Sequence, residues 1–180
     1  MKRIVLAMVV VCGAIIAIYE APYLNWRCCA PPVDAQPLVI RQDAKGDGRF
    51  LASRSGHRRH RGLDLVADLN SPVHAIHSGR VVKTGYHHGF GRFVDIEHQP
   101  GLHSVYAHLA SIEVRPGTRV RQGEAIGTVG KTGNARSRLV TPHLHLEIVK
   151  DGDSVDPRSL GLQAVEPPPA PDVAHAAGGE

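Results

Sequence analysis

Three short stretches of this chain place histidine and aspartate at spacings that could assemble a metal site. The first is His60-Arg61-Gly62-Leu63-Asp64. Side chains alternate between faces along an extended strand, so His60, Gly62 and Asp64 share one face. The glycine there leaves space for an ion between two potential ligands. The second stretch, Thr141-Pro142-His143-Leu144-His145-Leu146-Glu147, again puts two histidines on one face and sends Leu144 and Leu146 into a core. The third, Tyr106-Ala107-His108-Leu109, sets one histidine in an apolar strand. A hydrolytic Zn²⁺ site needs three protein ligands from histidine and carboxylate, with one position left for water. Two imidazoles and one carboxylate meet that need, and further histidines could polarise substrate or shuttle protons. Each stretch alone is read more simply as a strand with a satisfied histidine. Their joint occurrence in one small domain favours the metal.

These side chains need a rigid scaffold, and the composition says which kind. The chain has 180 residues, enough for one domain with appendages. Gly (19) and Pro (13) are abundant, which points to short strands and turns instead of a helix bundle. Between Phe50 and Leu160 short apolar stretches alternate with glycines, as in Leu63–Ala67, Arg92–Ile96, Ser104–Leu109, Ala125–Val129 and Leu144–Val149. Their length, β-branched content and alternation predict strands. Three cysteines, two of them adjacent, give no disulfide framework. The net charge of +4 is too small for a heavily basic nucleic-acid binder, and no aromatic-basic platform is present, so nucleic acid is not an expected partner.

The ends read differently. Lys2 and Arg3 precede an uncharged apolar run from Ile4 to Ile18, the layout of a secretory signal. Tyr19, Tyr23 and Trp26 stand where an interfacial aromatic belt would lie. No clear cleavage pattern follows, so an uncleaved signal-anchor helix is preferred over a cleaved peptide, with the remainder exported to the periplasm or cell envelope. The expected organisation is a signal or anchor over 1–26, a linker over 27–48, the functional domain over 49–162, and a Pro/Ala-rich disordered tail over 163–180.

In order and spacing, His60-x-x-x-Asp64, Tyr106-Ala-His108-Leu and Pro142-His-Leu-His145 resemble the lysostaphin/LytM-type zinc endopeptidases of bacterial cell walls. The intervening pieces resemble that family as well. They include Ser71-Pro-Val-His-Ala75 with Gly79-Arg-Val81, Gly89-Phe-Gly91 leading into Arg92–His98, and Val114-Arg-Pro-Gly117 continuing to Thr132-Gly133. The resemblance runs from about residue 54 to 158. It implies an all-β domain of the duplicated hybrid motif type, a small antiparallel sheet carrying a groove. It also implies one Zn²⁺ per chain held by His60, Asp64 and His145, with His108 and His143 as the catalytic histidines that polarise water and stabilise the oxyanion. The implied substrate is a peptide in the stems or cross-links of peptidoglycan. A regulatory protein partner and attachment to the inner membrane through the N-terminus are further expectations. This chain departs from the usual pattern in one place: the connection Asn134–Thr141 is several residues longer than the common form.

Two other function classes compete. Family members lacking ligands act as non-catalytic regulators of other hydrolases, but here all five positions are filled. The glycine-spaced half Val114–Gly133 also looks like half of a biotinyl/lipoyl carrier or adaptor. Lys131, in Gly-Lys-Thr-Gly, is a poor match to a carrier lysine. The basic run Arg54–Arg61 is read as a solvated face, His87-His88 as a surface turn, and a second metal at His74/His77 is not expected.

Overall fold

The computed structural model describes residues 29–167, so the expected signal or anchor over 1–26 lies outside the described residues. Among the described residues no helix is long and apolar enough to cross a membrane. The fold is all-β. Its main sheet has nine strands: β4 (Gly62–Val66), β5 (Pro72–His74), β6 (Gly79–His87), β7 (Gly91–Gln99), β8 (Leu102–Ile112), β9 (Arg119–Val120), β10 (Ala125–Val129), β11 (His143–Lys150) and β12 (Asp153–Val155). The order β12-β11-β8-β7-β6-β9 forms its spine, β4 adds to β11, and β10 pairs with both β5 and β8. Every pairing in this sheet is antiparallel.

Alternation explains the core. On one face Leu63 and Leu65 of β4, Leu144, Leu146 and Ile148 of β11, and Tyr106 and Leu109 of β8 are all fully buried. Their intervening neighbours Asp64, His143 and His145 point to the other face, as period two requires. There a smaller cluster of Phe93, Val105 and Ala107, with Phe90 against it, continues the surface on which the polar residues sit.

The described part of the segment expected as a linker over 27–48, residues 29–48, is integrated into this core. Val33, Leu38 and Ile40 are at most 3% exposed and pack with the strands. The short strand β1 (Leu38–Val39) pairs in parallel with β13 (Ala164–Val165), inside the segment expected to be a disordered tail. The reason is burial: Leu38 and Ile40 cover the outer side of β4, and Ile40 donates its N–H to the carbonyl of Val165. A hairpin, β2 (Gln42–Asp43) with β3 (Gly46–Asp47), then turns the chain back over β4.

Beneath the sheet a polar chain sits in the core. Tyr106 Oη accepts the N–H of Ile76 at 2.8 Å and meets Ser104 Oγ at 2.9 Å. Ser104 Oγ in turn lies 2.7 Å from His98 Nε2, while His98 Nδ1 donates to the carbonyl of Ser78. Burial first, and then the neighbouring His77 and His103, push the His98 pKa from 6.5 down to about 4. Between those two values the unfolded chain binds the proton and the folded chain does not, so stability falls as pH drops through that window. We expect metal-free His98→Gln protein to lose this dependence. Urea midpoints at pH 7 and pH 4 should show the wild type losing about 3 kcal/mol more than the variant. Equal losses would contradict a neutral, half-buried His98.

Candidate metal and catalytic site

On the polar face the pairing register lines up the side chains singled out above. Asp64 of β4 is the direct partner of His145 on β11, and His145 is the direct partner of Ala107 on β8. His60, just before β4, closes the group. His60 Nε2 lies 3.0 Å from His145 Nδ1 and 3.0 Å from Asp64 Oδ1, and His145 Nδ1 lies 2.8 Å from the same oxygen. These three residues form the one cluster of metal-donor side chains among the described residues, and all three are buried. No second cluster forms at His74 and His77: His74 pairs with Asp34 at 2.8 Å, and the His77 ring packs edge-on against His98.

The donor chemistry fits a cation. His60 Nδ1 donates to the carbonyl of Arg49 at 2.8 Å, which leaves the lone pair on Nε2, facing the triangle. Two imidazole nitrogens and a carboxylate oxygen about 3 Å apart repel one another unless positive charge lies among them. The electrostatics express the same demand. Burial opposes charge on both His145 and Asp64. Nevertheless, the carboxylates of Asp64 and Glu147 push His145 up to about 9, and the neighbouring imidazoles, His145 foremost, hold Asp64 well below the usual carboxylate range. His145 Nε2 is buried with no hydrogen-bond partner, 3.9 Å from Glu147 Oε2, a separation that gives charge attraction without a hydrogen bond.

Gly62 has a different role from the one its spacing suggested. A Cβ there would lie 2.3 Å from the carbonyl oxygen of Leu146 and 3.0 Å from His145 Cε1. The space beside it is filled by strand β11 and the His145 ring, so the glycine permits the close approach that brings the donor side chains together and does not leave room for an ion.

His108 and His143 stand beside the triangle with rings 5.1 Å apart, and His108 is 5.8 Å from the His145 ring. Simple alternation would send His108 to the core side with Tyr106, because Ala107 is the residue facing His145. The strand avoids this with a bulge: β8 carries an extra residue between its partners Arg92 and Val94, and His108 takes φ +64°. A left-handed non-glycine residue costs roughly 1–3 kcal/mol. Two contacts hold it there, His108 N–H to the carbonyl of Phe90 at 2.7 Å and His108 Nδ1 to the carbonyl of Thr132 at 3.0 Å. His143 Nδ1 donates to the carbonyl of Thr141 at 2.7 Å, and its Nε2 lies 3.8 Å from Asp64 Oδ1. In both rings a carbonyl fixes the proton on Nδ1, so each neutral histidine carries its lone pair on Nε2. Burial lowers both pKa values, His108 to about 3 with the added repulsion of His145 and His143.

The site floors a cleft of about 950 Å³. Phe90, whose ring stacks on His145 at 5.7 Å, walls one side, and residues of the long connection, among them Asn134, Ala135 and Val140, wall another. Arg58, Arg59 and Arg61 are exposed, as expected for a solvated face, yet all three line the cleft, and so does His87. Two contributors were not singled out in the sequence. Phe90 lay in a glycine turn with no periodic signal. Arg41, 5% exposed and ion-paired to Asp64, lay in the presumed linker, where one arginine after an apolar triplet carries no local signature.

Fold and site together define a class of protein: an all-β domain with a convergent histidine–carboxylate donor set on the floor of a cleft. Residues 58–157 match peptidase family M23, and the chain belongs to that family. Among curated relatives it is similar to the peptidoglycan DD-endopeptidase ShyC of Vibrio cholerae, 39% identical over 105 residues that make up 58% of this chain and 23% of ShyC. The chain spans about a quarter of that relative's length. Among solved structures it is similar to a zinc-containing peptidase from Vibrio cholerae (TM-score 0.59, 30% identity, 78% of this chain and 41% of that one). It is likewise similar to the catalytic domain of the antimicrobial peptidase lysostaphin from Staphylococcus simulans (TM-score 0.54, 29% identity, 67% of this chain and 92% of that one).

Proposed function

We propose that this chain is a zinc-dependent endopeptidase that cleaves peptide bonds in the stems or cross-links of peptidoglycan, working in the cell envelope. The observation carrying this reading is the triangle of His60 Nε2, His145 Nδ1 and Asp64 Oδ1, flanked by two neutral histidines whose Nε2 lone pairs remain available. In this reading those three atoms hold one Zn²⁺ per chain. Zn²⁺ bound there supplies a Lewis acid and lowers the pKa of water to about 7. The chain's own groups do the rest. His108 or His143 takes a proton from the attacking water at Nε2, faces the developing oxyanion with that N–H while it holds it, and then passes the proton to the leaving amine. Burial keeps both imidazoles neutral, which is the form that accepts a proton. Phe90 and the Asn134–Thr141 connection shelter the reacting peptide from bulk water.

The peptidoglycan substrate is supported by the named activity of ShyC and by family membership. Placement in the envelope follows from that substrate and from the signal-like residues 1–26, which would direct the domain to the polymer. The decisive experiment measures zinc in the purified chain by elemental analysis and tests release of soluble peptides from purified sacculi, with and without chelator. We expect one zinc per chain and chelator-sensitive release. Zinc without release would shift the reading to a regulator of other hydrolases, and absence of zinc would end it.

A further inference from the structure

The two oxygens of Asp64 have different partners. Oδ1 faces His60 and His145, whereas Oδ2 is gripped by Arg41, whose Nη2 lies at 2.9 Å and Nε at 3.3 Å. Arg54 Nη2 adds a longer contact to the same oxygen at 3.5 Å. The remaining arm of Arg41, Nη1, lies 2.7 Å from Asp43 Oδ1. Asp43 Oδ2 then accepts the backbone N–H of Thr141 at 2.8 Å, and the carbonyl of Thr141 is the one that fixes His143 Nδ1. One continuous chain of contacts thus joins Asp64 to His143 through two residues that precede the family-matched segment 58–157.

The backbone locks Arg41 in place. Its N–H donates to the carbonyl of Asp64 at 2.8 Å, its carbonyl accepts from Gly48, and Gly48 in turn accepts from Asp64 N–H. A Cβ on Gly48 would lie 2.8 Å from Asp64 Cβ and 2.9 Å from the Arg41 carbonyl, so only glycine lets this loop close over β4. On the other side Ile40 is tied to Val165, the strand through which the two ends of the described chain meet.

We propose that Arg41 and Asp43 are positioning residues of the metal site. Arg41 occupies Asp64 Oδ2, so only Oδ1 is presented to the cation and the carboxylate cannot swing to grip it with both oxygens or turn away. Asp43 aligns Arg41 and, through Thr141, sets the orientation of His143. The functional unit therefore begins near Leu38, well before the family match. A guanidinium is suited to this, since its planar fork gives one carboxylate two N–H groups while its spread charge pairs with a second carboxylate without a hydrogen bond.

This inference rests on the metal reading above, and the experiment separates the two. Zinc affinity of the full chain is measured by competition with a chromophoric chelator, alongside the Tm of the metal-free protein, for wild type, Arg41→Met, Arg41→Lys and Asp43→Asn. Residues that orient metal ligands are worth about 10–100-fold in metal affinity, so Arg41→Met should bind zinc weaker by about that factor. Arg41→Lys keeps the charge without the fork. It should recover most of the metal-free Tm while zinc binding stays about tenfold weak, a split that a purely structural role would not produce. Asp43→Asn, at a half-buried position, should fold and bind zinc about threefold to tenfold more weakly. Zinc affinity within twofold of wild type in Arg41→Met would overturn the proposal. If that variant fails to fold, unchanged affinity in Asp43→Asn would do so. A wild type that binds no zinc would instead bring down the metal reading.

Discussion

His145→Ala should leave a folded protein that retains no zinc and releases no peptide from sacculi. His145 is central to the donor set: its Nδ1 lies 3.0 Å from His60 Nε2 and 2.8 Å from Asp64 Oδ1, so removing it takes away one corner of the triangle. Two ligands remain, one short of the three that a hydrolytic zinc site uses. Loss of residues that merely orient ligands costs about 10–100-fold in affinity, so loss of a ligand itself should exceed about 100-fold. The fold should survive because Asp64 keeps a charged partner in Arg41, 2.9 Å from Oδ2, and is not left as an uncompensated buried charge. Elemental analysis after gel filtration, with circular dichroism as the check on folding, measures both halves of this expectation. Retention of one zinc per chain would remove His145 from the ligand set.

The second large effect is the opposite in kind. His108→Ala should keep its zinc and lose turnover by about 10²–10⁴-fold, the usual contribution of a positioned proton-transfer group. None of the three converging donor atoms belongs to His108, and its Nδ1 is engaged with Thr132, so the metal does not depend on it. Because His108 sits at φ +64°, alanine there adds strain of its own. His108→Asn is the cleaner partner variant, since asparagine tolerates left-handed backbone. Both variants should retain one zinc per chain and share the loss in kcat. Zinc loss equal to that of His145→Ala would overturn the division of roles between the two histidines.

Much of this architecture could be read from residues a few positions apart. His143 and His145 alternate with Leu144 and Leu146, and Leu63 and Leu65 bracket Asp64, because a strand with one buried face must repeat with period two. The strands and their β character follow from that local rule, while the five residues of the expected site come from the family resemblance that the ordered motifs carry. The linker over 27–48 and the tail beyond 163 were less legible. Short polar and proline-rich segments carry no periodic signal, and whether Leu38, Ile40 and Ala164 pack on β4 depends on surface that only the folded sheet presents.

Three features needed the tertiary structure itself. The role of Gly62 is set by the carbonyl of Leu146, 84 positions away along the chain, which approaches to where a Cβ would clash. The orientation of His108 runs against its own alternation, and the strained bulge persists because Phe90 and Thr132 hold it from neighbouring segments. Arg41 reaches Asp64 only because the chain folds back over β4 and closes at Gly48. The sequence by itself determined which residue types are present and which share a strand face, since both are local properties of the backbone. The tertiary structure decided which strands are neighbours, where the ladder breaks and which distant charge pairs with Asp64, because those outcomes depend on packing between segments far apart in the chain.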